Sequence, residues 1–270
     1  MDNVHLLDRR IVAVYSALVV IFVLTPLLCI VFVSLSAAQF ISFPWDQGFS
    51  FQWYAEIPEQ AAFIEGAKNS LKLAGLTALI AGVIGSLASL AIVRQSFPGR
   101  SVVVLLGSSS LFVPEVLFGL ALVLAISQWQ LGDPLLQLLI GHVVITIPFV
   151  LRVTTAALTD FNLDQEYAAQ NLGAGRVRAF ATVTFPQIRS GIFAAALMAF
   201  IVSFDNIALS LFLAGPGYQL LPVALYAYAV NSFDGIAAAV SVLMIVISLV
   251  VIWVLDKTVG LDKLFGGDVE

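Results

Sequence analysis

Residues 11–37 read IVAVYSALVVIFVLTPLLCIVFVSLSA, a run that contains no charged side chain. A helix needs about 20 mostly apolar residues to cross a bilayer, and this run exceeds that length. It is also much longer than the apolar core of a secretory signal peptide, which has about 7–15 residues. A cleaved leader is the alternative, because Ser36, Ala37 and Ala38 form a weak cleavage-like site. The run predicts a first transmembrane helix over Ile11–Ala37.

The composition of the whole chain is typical of a membrane protein. Of 270 residues, 60% are hydrophobic and 11% are charged, whereas about one quarter of a soluble domain is charged. This argues against a soluble enzyme. The single cysteine, Cys29, excludes a disulfide framework and a paired-cysteine metal or redox site. The net charge of −5 indicates no nucleic-acid partner, because binding phosphate needs clustered Lys and Arg.

Five further apolar runs are long enough to span a bilayer, so we predict an all-α integral membrane protein with six transmembrane helices. Helices are expected because lipid offers no hydrogen-bond partner to an unpaired backbone group. No linker separates the runs, so one domain is predicted over residues 1–270. The segment Leu220–Val230 contains Pro222 and is too short to span, which favours an interfacial or re-entrant helix. The five further predicted spans are Asn69–Val93, Ser101–Ser127, Pro134–Leu158, Gly191–Leu213 and Gly235–Leu255.

The positions of the basic residues predict the orientation of the chain. With six spans and a cytoplasmic N-terminus, only Lys68 and Lys72 among the 12 Lys and Arg residues lie outside. Positive side chains are enriched in cytoplasmic segments, so both termini are predicted to be cytoplasmic. A seventh span would move Lys257 and Lys263 outside and weaken this bias.

Small residues recur at four-residue spacing in the second predicted span, which places them on one face of the helix. They are Ala74, Ala78, Gly82 and Ser86. Small side chains let membrane helices approach closely, so this face either packs inside the bundle or forms a subunit interface. Packing inside the bundle is the simpler interpretation.

The connection between the fourth and fifth predicted spans is the longest cytoplasmic stretch. It runs from Thr159 to Ser190 and reads TDFNLDQEYAAQNLGAGRVRAFATVTFPQIRS. Asn162 or Asp164 can cap a helix, and a short helix is predicted over Gln165–Leu172.

Two glycines and a proline punctuate the rest of this connection. Gly173 and Gly175 can supply the left-handed residue that ends the short helix. A second helical stretch is predicted to begin near Arg176 and to end at Pro186. The short helix is expected to be exposed, and its small residues let the surface of another protein come close. These small residues are Ala168, Ala169 and Ala174.

This connection resembles the EAA loop of the inner-membrane permease subunits of binding-protein-dependent ABC importers. The pattern of that loop is Glu-Ala-Ala, three residues, Gly, nine residues and then Ile-x-Leu-Pro. The glutamate position of the pattern holds Tyr167, and Glu166 lies one place earlier. The residues that fall on the spacing of the pattern are Ala168, Ala169, Gly173, Val183, Phe185 and Pro186.

The resemblance extends along the chain. Asn69-Ser70-Leu71 opens the second predicted span, and Val113-Pro114 lies in the third. The stretch 203–206, which reads SFDN, followed by Gly215-Pro216-Gly217, is similar to the spermidine/putrescine permease subgroup.

The resemblance implies a type I (MetI-like) permease in a bacterial inner membrane that forms half of a translocation pathway. Its implied partners are an ABC ATPase dimer that binds ATP and Mg, a second and different permease subunit, a periplasmic solute-binding protein and membrane lipid. The implied cargo is a polyamine, with other small organic solutes or metal ions as alternatives. The residues that it implies for ATPase coupling are Asp164, Glu166, Tyr167, Ala168, Ala169, Gly173, Ala174 and Pro186.

The chain carries no ATPase motif and no catalytic cluster of its own. A phosphate-binding loop needs Gly-Lys followed by Ser or Thr, and only Lys257 among four lysines precedes such a residue, after Asp256. No cofactor, catalytic residue or metal ligand is therefore predicted in this chain. A secondary transporter or channel is the competing class, but it would need a coupling-ion site or an inverted repeat, which the sequence does not display.

Ionisable residues inside predicted spans are functional candidates, because they are costly in lipid. Glu115 lies in the middle of the third predicted span, His142 in the fourth, and Asp205 beside Asn206 in the fifth. Two acids that face a pore would pair with a cationic substrate. The alternative is a local hydrogen bond or a structural role. Glu115, Asp205 and Asn206 are the predicted substrate-pathway residues.

Overall fold

The computed structural model describes residues 2–38, 47–129, 131–215, 217–232 and 234–259. Pro216 and Lys263 lie outside these residues. The described residues are helical apart from turns and one isolated bridge between Ser36 and Phe49, which confirms the all-α prediction. The α-helices are α1 Asp2–Ser34, α2 Gln52–Glu56, α3 Ala61–Arg94, α4 Arg100–Ser109, α5 Glu115–Trp129, α6 Pro134–Thr159, α7 Leu163–Asn171, α8 Arg176–Ala179, α9 Phe185–Phe204, α10 Ala208–Leu213, α11 Leu221–Asn231 and α12 Ile236–Val259.

Five helical segments within the described residues are long and apolar enough to cross a membrane. Four of them overlap the first, second, fourth and sixth predicted spans closely, and the remaining one overlaps the fifth. They are Ile11–Ser34, Ala61–Arg94, Pro134–Thr159, Arg176–Phe204 and Ile236–Val254. A count of six spans and the orientation of the termini stay predictions.

The third predicted span, Ser101–Ser127, is wrong as one continuous helix. The chain forms α4 and α5 there, of 10 and 15 residues, and neither reaches the length that a bilayer needs. The helix stops before Pro114, whose ring removes an amide hydrogen and disfavours a helical residue before it. Glu115, predicted to lie in the middle of a span, is instead the first residue of α5.

The fifth predicted span, Gly191–Leu213, is displaced towards the N-terminus. Helix runs from Arg176 to Phe204, so the prediction that a helical stretch ends at Pro186 is also wrong. A π-helical turn, Phe180–Thr184, directly precedes α9 and makes room for the proline in the first turn of that helix. The wider turn moves the carbonyl with which the proline ring would otherwise collide.

The other end of this predicted span is broken at residues 205–207. Asp205 caps α9, and the side chain of Asn206 accepts a hydrogen bond of 2.9 Å from the backbone N–H of Leu209. An amide side chain that bonds to the backbone competes with continuous helix, and here it starts the separate helix α10. Asp205 therefore lies just after a long helix rather than inside it.

The chain groups into two compact units, and each is described by itself. The first comprises Met1–Phe63 and Leu225–Val246. Within it, the indole N–H of buried Trp53 donates to the carbonyl of Ser36 at 2.8 Å, and the Phe63 and Tyr228 rings lie 5.3 Å apart. The short helix predicted over Leu220–Val230 is confirmed as α11.

The second unit comprises Ile64–Ala224 and Ile247–Glu270. Its core is built from α3, α5, α6, α9 and α10. Helices α6 and α9 pack closely because Gly191 of α9 faces Ala157, where an added Cβ would lie 2.4 Å from the alanine methyl. Part of the small-residue face of α3 also packs inside this unit, since Ala74 has no exposed surface and Gly82 lies against Ala196, whereas Ala78 and Ser86 are half-buried.

Candidate functional site

The short helix of the long connection is α7, Leu163–Asn171, which we call the docking helix. The side chain of Asn162 caps it by accepting a hydrogen bond of 2.9 Å from the backbone N–H of Asp164. Gly173 follows with a φ of 95°, as the sequence predicts. Gly175 has a φ of −62°, so the prediction that it also supplies a left-handed residue is wrong.

Small and apolar side chains of the docking helix and of the residues after it are exposed among polar ones. Tyr167 is 56% exposed, Leu172 91% and Val177 83%. Ala168 and Gly173 are exposed between them. We call these five residues the docking surface.

The remaining predicted coupling residues lie around this surface. Asp164 is exposed in the first turn of the docking helix, and Ala169 and Ala174 are half-buried. Pro186 is exposed in the first turn of α9. Gln187, next to Pro186, donates from its side-chain amide to the Gln165 side chain at 2.6 Å. The start of α9 therefore contacts the docking helix directly.

Glu166, the residue before Tyr167, is only 6% exposed. The two guanidinium nitrogens of Arg94 donate to its two carboxylate oxygens, at 3.1 and 2.6 Å. The hydroxyl of Thr184 also donates to Glu166. Because neighbouring residues of an α-helix point about 100° apart, Tyr167 is exposed while Glu166 is buried.

The charge of Glu166 is stabilised where it is buried. Burial by itself raises the pKa of the Glu166 carboxyl. The hydrogen bonds from Arg94 and Thr184, together with the Arg94 charge, lower it by more than burial raises it, so the pKa lies below its ordinary value. A carboxyl with a lowered pKa is ionised at neutral pH. The stability that this pair contributes is therefore present above the ordinary carboxyl range and is lost only as the pH falls through the lowered value.

Sequence reasoning missed both partners of Glu166. Arg94 is the last residue of α3, and its guanidinium also lies 5.4 Å from the centre of the Phe180 ring in the π-helical turn. An arginine at the end of an apolar run and an acid in a later connection are the only sequence signals. A groove of about 860 Å³ lies beside this cluster, and Arg94, Glu166, Tyr167, Arg176, Val177 and Phe180 are among its lining residues.

Two of the three predicted substrate-pathway residues, Glu115 and Asn206, are in contact at the break after α9. The side-chain amide of Asn206 donates to a carboxylate oxygen of Glu115 at 2.8 Å, which joins the break to the first turn of α5. Asp205 has a different partner, since its carboxylate accepts a hydrogen bond of 3.3 Å from the Ser248 hydroxyl of α12. The structure thus pairs Glu115 with Asn206 and gives Asp205 a separate contact.

His142 of α6 connects the two helices on either side of the break. It has no exposed surface, and its ring nitrogens lie 2.8 Å from the Ser203 hydroxyl of α9 and 3.2 Å from the Ser210 hydroxyl of α10. The Ser210 hydroxyl donates in turn to the carbonyl of Asn206 at 2.6 Å. The sequence marked His142 but not the two serines, which are ordinary residues in apolar helices.

The long apolar helices are those of a multi-pass helical membrane protein, and the docking helix lies outside the five candidate spans. The chain belongs to the family described as binding-protein-dependent transport system inner membrane components, whose model matches residues 81–257. This match includes the docking helix and the break after α9.

Individual relatives agree with this family. The chain is 27% identical over 251 residues to the spermidine/putrescine transport system permease protein PotC of Escherichia coli, covering 91% of this chain and 92% of the relative. It is 28% identical over 212 residues to the putrescine transport system permease protein PotI of the same species, covering 76% and 75%. One chain of a solved bacterial ABC transporter involved in the import of the polysaccharide alginate superposes on this chain with a TM-score of 0.70 at 18% sequence identity. The match covers 92% of this chain and 95% of that chain, which shows a shared fold.

Proposed function

We propose that this chain is the permease subunit of an ATP-driven importer and forms half of the pathway for a polyamine. The observation that carries the proposal is the docking helix, which presents small and apolar side chains to solvent inside the region that matches the permease family. The cargo is inferred from the relatives, two of which are named for spermidine or putrescine.

The docking helix would carry the coupling to the ATPase. In the proposal, a groove of an ATPase dimer, which binds ATP and Mg, receives the docking surface on the cytoplasmic side of a bacterial inner membrane. Ala168, Ala169 and Gly173 act by their small size, because larger side chains would hold the helix out of the groove. The chain itself hydrolyses nothing, so energy reaches it only as movement of this helix.

The pathway would be completed by other chains. A second, different permease subunit supplies the other half, and a periplasmic solute-binding protein delivers the cargo, in keeping with the family's description as binding-protein-dependent. Arg176, Arg178 and Arg189 would lie near lipid headgroups on the cytoplasmic side.

The acids at the break after α9 fit a cationic cargo. Glu115 is held at the first turn of α5 by Asn206, and Asp205 is held by Ser248. Both carboxylates are exposed in the single chain. A polyamine carries its positive charges apart along a flexible chain, so it would contact two separate carboxylates more readily than one.

Uptake by the complete importer tests this proposal. Cells that lack other polyamine importers would express this chain with its ATPase, second permease and binding protein, and uptake of labelled putrescine and spermidine would be measured. We expect uptake that unlabelled polyamine abolishes and that a neutral solute such as maltose leaves unchanged. Absence of polyamine uptake, with all four proteins present in the membrane fraction, would overturn the proposed cargo.

A further inference from the structure

We propose that Arg94, Glu166 and Thr184 form a positioning cluster that fixes the docking helix to α3 and to the start of the α9 helix. Movement of the docking helix then reaches two long membrane helices together instead of being lost in a flexible connection. This inference rests on the proposed function of the chain as an ATPase-driven permease.

The cluster joins three elements at one carboxylate. Arg94 ends α3, Glu166 lies in the docking helix, and Thr184 is the last residue of the π-helical turn. Within the described residues, the hydrogen bonds of the Glu166 carboxylate come from Arg94 and Thr184, outside its own helix, and from Gln170 of the same helix at a long 3.5 Å. The docking helix is therefore attached to α3 and to the π-helical turn through the buried side chain of Glu166, whereas the residues of its docking surface are exposed.

The geometry of the Arg94–Glu166 pair makes this attachment rigid. Two parallel hydrogen bonds between a guanidinium and a carboxylate fix the relative orientation of the groups, which a lysine cannot do. The Arg94 and Glu166 side chains are only 19% and 8% exposed, so water replaces these bonds poorly. The Phe180 ring beside Arg94 restricts the guanidinium further.

Thr184 connects the cluster to a place where the long helix departs from regular geometry. π-Helical turns have weaker and wider hydrogen bonding than α-helix and are points where helices bend. The Thr184 hydroxyl bonds to Glu166 at this turn, immediately before α9 begins at Phe185. A shift of Glu166 would thus be transmitted to α9 at the position where that helix bends with least resistance.

A merely structural role for the cluster makes a different prediction. If Arg94 and Glu166 only stabilise the fold, a substitution lowers the amount of assembled importer but leaves the ATP consumed per solute unchanged. If they position the docking helix, assembled importer still hydrolyses ATP but moves less solute for each ATP. The ratio of ATP hydrolysis to uptake therefore separates the two roles.

The test uses the complete importer in proteoliposomes, with labelled putrescine as the solute. Glu166→Gln keeps the size of the side chain and removes its charge, and Arg94→Lys keeps the charge and removes the two-point contact. Asp160→Asn and Arg100→Lys are matched controls, because both side chains are exposed and belong to neither the docking surface nor the cluster. ATP hydrolysis, uptake and the amount of assembled complex are measured for each variant.

We expect ATP hydrolysis within about twofold of the parent and uptake lowered about tenfold in Glu166→Gln and Arg94→Lys, with both controls unchanged. If either variant fails to assemble, the ratio of ATP hydrolysis to uptake is measured in Thr184→Val instead, because this substitution removes one hydroxyl and keeps the shape of the side chain. An unchanged ratio in the variants that assemble would overturn the positioning role. Failure of the proposed function looks different, because then the parent importer itself shows no uptake that depends on ATP.

Discussion

Gly173 closes the docking helix in a backbone conformation that glycine adopts at little cost. Its φ is 95°, and no atom lies within 4 Å of the position where a Cβ would be placed. A side chain at Gly173 therefore strains the local backbone by roughly 1–2 kcal/mol and projects from the docking surface, but it does not disturb a packed core. A substitution at Gly173 can therefore impair docking without disrupting the packing of the fold.

We predict that Gly173→Asp lowers ATP-driven uptake at least about tenfold while the protein still inserts into the membrane. The added carboxylate projects where the proposed ATPase groove would lie. Gly99→Asp is the matched control, because Gly99 also has a positive φ, 88°, with nothing within 4 Å, but lies outside the docking surface. Uptake and membrane abundance are measured for both, and normal uptake in Gly173→Asp would contradict the role of the docking helix.

The acids at the break after α9 provide a second test at the residue scale. We predict that Asp205→Asn and Glu115→Gln each raise the KM for putrescine about tenfold, because each removes one negative charge and keeps the shape of the side chain. Glu59→Gln, an exposed acid of the other compact unit, is the control. Unchanged uptake of every polyamine in Asp205→Asn would remove Asp205 as a charge partner.

Local features of the docking helix could be predicted from sequence, and its tertiary contacts could not. The Asn162 cap and the left-handed Gly173 depend on residues within one or two turns of each other, so their spacing is sufficient. Arg94 and Glu166 are 72 residues apart, and nothing in the pattern of either segment indicates that they meet. The inward position of Glu166 depends on that contact.

At the scale of elements, proline is the residue whose effect depends most on its surroundings. Pro114 separates α4 from α5, whereas Pro186 lies in the first turn of a helix that continues from the preceding π-helical turn. The sequence predicts a helix that continues through Pro114 and one that ends at Pro186, and the structure shows the reverse at both places. The π-helical turn accounts for the difference, and no sequence period indicated it.

The connection between α9 and α10 is another element-scale feature. We predict that His142→Leu lowers the free energy of unfolding by about 2 kcal/mol, because it leaves the Ser203 hydroxyl without its partner in an apolar interior and removes one of the two hydrogen bonds of Ser210. It should also raise the KM for putrescine, since Ser210 bonds to the backbone of Asn206. Unfolding of the purified protein in detergent measures the first effect.

Thr146→Val is the control for this prediction. Thr146 is equally buried in α6, one turn after His142, but its hydroxyl bonds only to carbonyls of its own helix. Its loss should therefore have a clearly smaller effect on both measurements. Equal effects of the two substitutions would show that His142 does not connect α9 with α10.

At the scale of the whole molecule, each proposed partner requires one orientation of the chain in the membrane, with the docking helix on the cytoplasmic side. In a Cys29→Ser background we predict that Leu172→Cys reacts with a membrane-impermeant maleimide only from the cytoplasmic side. Glu59→Cys should react only from the outside. Leu172 is 91% exposed and Glu59 is also exposed, so both positions are open to the reagent. Labelling of Leu172→Cys from the outside would place the docking helix on the wrong side for an ATPase.

In the proposed importer, this chain forms part of the pathway, and the cargo crosses only when the ATPase moves the docking helix. Proteoliposomes that contain this chain and its second permease, with the binding protein and putrescine outside, test this directly when the ATPase and ATP are added or omitted. We predict uptake only when the ATPase and hydrolysable ATP are both present. Sustained uptake against a gradient without the ATPase would contradict the account and favour a secondary transporter.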